Sequence, residues 1–163
     1  MSTGAKAKDV QTEVAQLASQ TGSAQDLMAQ IVELLHQRML KYNWVGFYML
    51  EAGRPPTLVL GSFQGAMTPH TRIPLHQGIC GAAASTGKTV VVDDVNQDPR
   101  YLACSLETKS EIVVPVFAHG KVVGELDIDS HFPAAFKDED RALVEYSAGL
   151  VGKSLEKSSK PEA

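Results

Sequence analysis

Two cysteines and three acids carry most of the chemistry open to this sequence. Cys80 and Cys104 are its two thiols, too few for a disulfide scaffold and without the paired spacing of a zinc site. Free cysteines are most often buried apolar side chains, so a redox role has to be argued from their surroundings. The acids Glu111, Asp127 and Asp129 fall in two β-branched runs, Glu111 to Phe117 and Lys121 to Ser130, which a turn at His119-Gly120 folds into a hairpin.

The length of that turn decides which side chains share a face, because a slip of one residue turns a strand over. A two-residue loop sets Ala118 opposite Lys121 and puts Ile112 across from Asp127 and Val114 across from Glu125. A three-residue loop, Ala118 to Gly120 with Gly120 at positive φ, sets Phe117 opposite Lys121. It aligns Ile112 with Leu126, Val114 with Gly124 and Val116 with Val122, a consistent apolar face, and is the predicted register. The other face then brings Glu111 across from Asp127, with Asp129 diagonal to it and Glu125 one step along the strand.

Like charges directly opposed on a sheet are destabilising, so the three acids call for solvent, a shared proton or a cation. A solvated outer face is the plain reading, since acids are ordinary on the wet side of an antiparallel sheet. A bound ammonium group is the functional one. A hard metal ion is disfavoured, because acids on extended strands gather fewer oxygens than a calcium loop does, and no metal is expected. His131, next to Ser130, is read as an exposed side chain. Trp44 and Tyr48, four apart in a strand, project from one face. They pack in the core or form an aromatic wall for the thioether end of a ligand.

The elements that position these residues follow from periodicity. Helices are predicted over Ala5 to Ser19, Ser23 to Leu40 and Lys137 to Lys157, the second with Leu27, Ile31, Leu34, Leu35 and Met39 on one stripe. Strands are predicted over Trp44 to Leu50, Thr57 to Phe63 and Thr89 to Asp93, besides the hairpin. Ile79 to Thr86 is a short helix ended by Gly87. The outcome is an α+β fold, a central mainly antiparallel sheet flanked by N- and C-terminal helices. The 163 residues, 44% hydrophobic, suit one domain. No run reaches the ~20 apolar residues of a membrane span, and Met1 to Val10 lacks the apolar centre of a secretory signal. A cytoplasmic location is expected. With net charge −4 and scattered Lys and Arg, the chain has no nucleic-acid footprint and no membrane role is expected; its partner is a small molecule.

Eight segments in order resemble the free methionine-R-sulfoxide reductases, a family of single GAF domains. They are Asn43-Trp44-Val45-Gly46-Phe47-Tyr48, Gly61-Ser62-Phe63-Gln64-Gly65, Arg72-Ile73-Pro74, Gly78-Ile79-Cys80-Gly81, Asp93-Asp94-Val95, Leu102-Ala103-Cys104, Ser110 to Pro115, and Leu126 to Ser130. The resemblance implies one GAF domain over residues 1–163, with a helical segment at 5–40, sheet and pocket at 43–130 and a closing helix at 137–157. It implies that Cys104 is the catalytic cysteine, that Glu111, Asp127 and Asp129 form the acidic substrate pocket, and that Trp44 and Tyr48 form its wall. The thiol would reduce free methionine-R-sulfoxide by way of a sulfenic acid and a disulfide, with Glu111 or Asp129 donating the proton. No cofactor is implied; a thioredoxin-like or small-thiol reductant is, and a homodimer is allowed. Many members carry a resolving cysteine two residues before the Arg-Ile-Pro segment, where this chain has His70. Cys80 matches another family cysteine and is the thiol left for that role. The alternative is a GAF module that binds a small ligand or dimerises without catalysis.

Overall fold

Ser23 opens the second helix by accepting the Asp26 N–H at 3.1 Å, and Gly87 closes the third in the left-handed region at φ 68°. These local signals sit where the sequence places them. The computed structural model describes residues 3–101 and 107–158. Its helices are α1 (Thr3–Gln20), α2 (Ala24–Arg38), α3 (Gly78–Thr86) and α4 (Asp138–Ser158). Its strands are β1 (Trp44–Glu51), β2 (Thr57–Gln64), β3 (Arg72–Pro74), β4 (Val90–Val92), β5 (Ser110–Ala118) and β6 (Lys121–Ser130). They form one antiparallel sheet in the order β3-β2-β1-β6-β5-β4, so the α+β expectation holds. Strand β3, of only three residues, and the 3-10 turn Val95–Gln97 are too short to show a periodic pattern and add to the predicted elements. No helix among the described residues is long and apolar enough to cross a membrane.

Helices α1, α2 and α4 bury one face of the sheet, through Val45, Phe47, Ile112, Val114, Leu126 and Ile128. The opposite face carries Trp44, Tyr48 and Val113 and is covered by α3. Both faces of β5 and β6 are therefore inside, which is why these strands are buried nearly end to end.

The hairpin corrects the predicted register. Its turn has two residues, with Ala118 opposite Lys121 and with His119 at φ 51° and Gly120 at φ 77°, the paired positive values of a primed hairpin turn. The His119 N–H is held by Glu156 Oε2 of α4 at 2.8 Å. Phe117 then pairs with Val122 but Val116 with Gly124, so Val123 is an extra residue, a β-bulge in β6. Beyond the bulge Ile112 meets Ile128 and Val114 meets Leu126. Glu111 thus lies across from Asp129, and Asp127 across from Val113, not from Glu111. Beyond the bulge the slip is two residues, so Glu125 to Ser130 keep the faces predicted for them, whereas Val122, predicted opposite Val116 on the apolar face, packs on the α3 side instead.

Tyr42 ties the start of β1 to α4. Its hydroxyl donates to Asp140 Oδ1 at 2.6 Å while Oδ2 accepts the Lys137 N–H at 3.0 Å. Burial and the adjacent carboxylate push the phenol far above its usual pKa, so it is a permanent donor. Tyr42→Phe leaves a buried carboxylate short of a partner. It should lower unfolding free energy by about 1.5–3 kcal/mol, read as a shift of the urea midpoint at unchanged m-value.

Candidate active site

Strand alternation sends Trp44, Gly46 and Tyr48 to the α3 side of the sheet. Gly46 has no side chain, and the Trp44 ring lies across it; a Cβ there would collide with the indole. The indole stacks on Phe63 at 5.7 Å between centroids and reaches Tyr48 at 6.2 Å. Both aromatic residues also strap down the loop that follows β2. Trp44 Nε1 donates to the Ala66 carbonyl at 3.0 Å, and Tyr48 Oη donates to the His70 carbonyl at 2.7 Å. Ala66, Met67 and Thr68 of that loop roof a pocket of about 100 Å³. Trp44 and Tyr48 wall it, Asp127 and Asp129 lie at its base, and Asn43, Glu107, Thr108 and His131 complete it.

The acids are not on a wet face. Glu111 is 5% exposed, Glu125 0%, Asp127 2% and Asp129 4%, which rules out the solvated reading. Asp129 lies across from Trp44 on one side and Glu111 on the other, and Glu125 lies across from Tyr48. Glu111 shares hydrogen bonds with Asp127 and Asp129, which two carboxyl groups can do only around a proton. Cys80, on the first turn of α3, donates its thiol to Asp127 Oδ2 at 3.3 Å. Both oxygens of Glu125, Oδ1 of Asp127 and Oδ1 of Asp129 have no hydrogen-bond partner among the described residues. Such orphaned buried acceptors ask for a donor from a ligand.

Burial dominates the proton affinities. It pushes Glu111 well above the usual carboxyl range, with Asp127 and Asp129 adding repulsion. Asp129 is pushed well up by burial and then by Asp127, while Glu125 is pushed well up by burial, opposed by the Cys80 thiol and aided by Asp127. Asp127 is raised too, but hydrogen bonds from Glu111 and Cys80 work against its burial. Asp127 is therefore the acid best able to hold the negative charge, with protons on its neighbours. Cys80 is held as a neutral thiol by burial and by Asp127, Glu125 and Glu111.

These shifts make a prediction about stability. Unfolded carboxyls titrate near ~4. Where the folded value is higher, the folded protein binds more protons, so the cluster's contribution is complete below ~pH 4 and is lost as pH rises towards the folded value. The ligand-free protein should thus lose more Tm between about pH 5 and pH 8 than Asp129→Asn does. Equal slopes would mean that the cluster is ionised throughout.

Of the residues singled out in the sequence, Cys80, Glu111, Asp127, Asp129, Trp44 and Tyr48 come together in this site. Tyr48, His70, Ile73, Cys80, Glu111 and Asp127 also line a smaller adjoining cavity, so His70 stands beside the buried thiol. Cys104 lies outside the described residues. Glu125 was noted on this face but not counted in the site, although the alternation Glu125-Leu126-Asp127-Ile128-Asp129 is a signal that includes it. His131 is half-exposed as expected, yet sits at the pocket mouth 3.5 Å from Glu107.

A buried ligand pocket on one face of a six-stranded antiparallel sheet, backed by terminal helices on the other, is the architecture of a GAF domain. The GAF domain model matches residues 23–155, and the chain belongs to that family. Within it, the likeness is to the free methionine-R-sulfoxide reductases. The chain is 45% identical over 113 residues to the free methionine-R-sulfoxide reductase of Saccharomyces cerevisiae, covering 69% of this chain and 62% of that protein. To the Escherichia coli free methionine-R-sulfoxide reductase it is 40% identical, over 69% of this chain and 66% of that one. It thus spans just under two thirds of either relative. The free methionine-R-sulfoxide reductase of Neisseria meningitidis, solved in complex with its substrate, superposes with a TM-score of 0.89 at 35% identity, over 97% of this chain and 93% of that one.

Proposed function

We propose that this chain reduces free methionine-R-sulfoxide to methionine with Cys104 as the nucleophile. The observation that carries the reading is the set of buried carboxyls opening on a pocket walled by Trp44 and Tyr48. An ammonium group supplies the donors that Asp127 Oδ1 and Asp129 Oδ1 lack, and sulfur packs favourably against aromatic ring edges. One pocket therefore suits both ends of a free amino acid that carries a sulfur side chain. The likeness to reductases in complex with substrate supports the same conclusion.

Cys104 precedes the pocket residues Glu107 and Thr108 by three and four positions. Cys80, neutral and hydrogen-bonded to Asp127, is poorly suited to make the first attack. In the reaction the Cys104 sulfur attacks the sulfoxide sulfur while protonated Glu111, or Asp129, gives its proton to the oxygen. The substrate sulfur gains two electrons and leaves as methionine, and Cys104 loses two and carries the oxygen as a sulfenic acid. Condensation with a second thiol forms a disulfide and releases water.

Cys80 is the internal candidate for that thiol, with Asp127 placed to take its proton, and a thioredoxin-like or small dithiol then restores both cysteines in a reducing, cytoplasmic setting. Cys80→Ser should leave the first turnover intact and slow recycling by a dithiol protein. Mass spectrometry after one equivalent of substrate should show a Cys80–Cys104 disulfide in the parent chain. A lasting sulfenic acid at Cys104 would assign resolution to an external thiol instead.

The reading as a whole is tested by removing the substrate's positive charge. With dithiothreitol as reductant, free methionine-R-sulfoxide should be turned over and its N-acetyl derivative should not. Equal rates for the two would refute an ammonium site.

A further inference from the structure

Behind the pocket, one thiol and two carboxylates converge from three separate elements. Cys80 Sγ on α3, a Glu111 oxygen on β5 and an Asp127 oxygen on β6 all lie within 4.8 Å of one another, and all three residues are buried. The separation of Cys80 Sγ from Asp127 Oδ2 is 3.3 Å. A tetrahedral zinc ion sits ~2.3 Å from sulfur and ~2.1 Å from oxygen, which puts its donors about 3.5 Å apart. The three donors close on such an ion with side-chain shifts of less than about 1 Å, within the range of ordinary rotamer adjustment.

Glu125 points to a ligand independently. It is fully buried, its oxygens have no hydrogen-bond partner among the described residues apart from the adjacent Cys80 thiol, and it lies beside Asp127 as well. A carboxyl placed this way is costly unless something positive joins it. We propose that Cys80, Glu111 and Asp127, with Glu125 beside them adding negative charge, bind a borderline-soft divalent ion of the Zn²⁺ type, and that this ion excludes substrate. The mixed sulfur and carboxylate set selects that class, since Ca²⁺ and Mg²⁺ take oxygen donors and Cu⁺ prefers soft sulfur. No sequence spacing announces the site, because Cys80, Glu111 and Asp127 come from three separate elements.

Exclusion follows from the shared groups. Asp127 and Glu111 serve both the ion and the proposed substrate, as anion and as proton donor, so one occupant displaces the other. The inhibitory half of the proposal rests on the reductase reading; the binding half does not.

Co²⁺ serves as the spectroscopic probe, in the Cys104→Ser variant so that Cys80 is the one thiol present. One equivalent should produce a sulfur-to-cobalt charge-transfer band, and Zn²⁺ or free methionine should abolish it. Absence of the band, or its survival when Cys80→Ser is added, overturns the site. Glu125→Gln should weaken Co²⁺ binding by at least ~10-fold, the scale on which loss of a supporting group beside the ligands acts; unchanged affinity overturns the part given to Glu125. If the variant lacking both thiols does not fold, calorimetric titration of Zn²⁺ into Cys104→Ser decides the matter, with 1:1 binding that Glu125→Gln weakens expected and no heat of binding fatal. Neither readout needs turnover, so a parent chain that fails to reduce free methionine-R-sulfoxide, with Co²⁺ still bound through Cys80 in Cys104→Ser, refutes the reductase reading and leaves the metal site standing.

Discussion

Replacing Cys104 with serine should abolish methionine release, lowering turnover by on the order of 10³-fold or more, the scale on which loss of a covalent nucleophile acts. A hydroxyl is close to a thiol in size but cannot accept the oxygen as a sulfenic acid. The Cys104→Ser protein should still bind free methionine with parental affinity, because the ammonium site and the aromatic wall are untouched. Turnover close to the parent's would transfer the chemistry to Cys80, the chain's other thiol. Burial and the Asp127 hydrogen bond make that thiol a weak nucleophile, so such a result would also demand that α3 open.

The second large effect is expected at Asp127. It is the acid that hydrogen bonds from Glu111 and Cys80 best equip to stay ionised, and it faces the pocket with one oxygen unpartnered. Asp127→Asn removes the charge and retains the shape. It should cost about 1.5–3 kcal/mol of transition-state binding, roughly 10- to 150-fold in kcat/KM, with KM carrying most of the change. Glu111→Gln should instead act on kcat, because a proton donor matters chiefly when the oxygen departs. A kcat/KM for Asp127→Asn within twofold of the parent would remove Asp127 from the substrate site.

Much of this arrangement was legible in the sequence, for identifiable reasons. The stripe through Leu27, Ile31 and Leu35 marked α2 because those residues do face the core, and Ser23 marked its start with a cap that forms. Alternation in Glu125 to Asp129 sorted acids from aliphatics correctly, since a two-residue register slip leaves faces unchanged. The slip itself came from Val123. A bulge there lets the favoured two-residue turn coexist with an apolar-on-apolar hairpin, a combination that a bulge-free choice between turn lengths does not contain. Gly124 was the available hint: a Cβ there would press on the Tyr48 carbonyl and the Met49 side chain, the close approach that a glycine within a strand often marks.

Burial of the acids was not legible, because their cover is distant in sequence. It consists of α3 and of the loop through Ala66, Met67 and Thr68, and that loop is held by hydrogen bonds from Trp44 and Tyr48 to backbone carbonyls, which leave no trace in residue type. The same distance hid the grouping of Cys80 with Asp127, 47 positions apart.

The central claim is that this pocket reduces one epimer of a free amino acid, and a single-turnover experiment tests it most directly. Fully reduced protein, freed of external thiol, is mixed with an excess of either free methionine-R-sulfoxide or the S epimer, and released methionine is measured per protein chain. About one methionine per chain is expected from the R epimer and none from the S epimer, with loss of both free thiols as the Cys80–Cys104 disulfide forms. Equal yields from the two epimers, or no methionine from either, would contradict it.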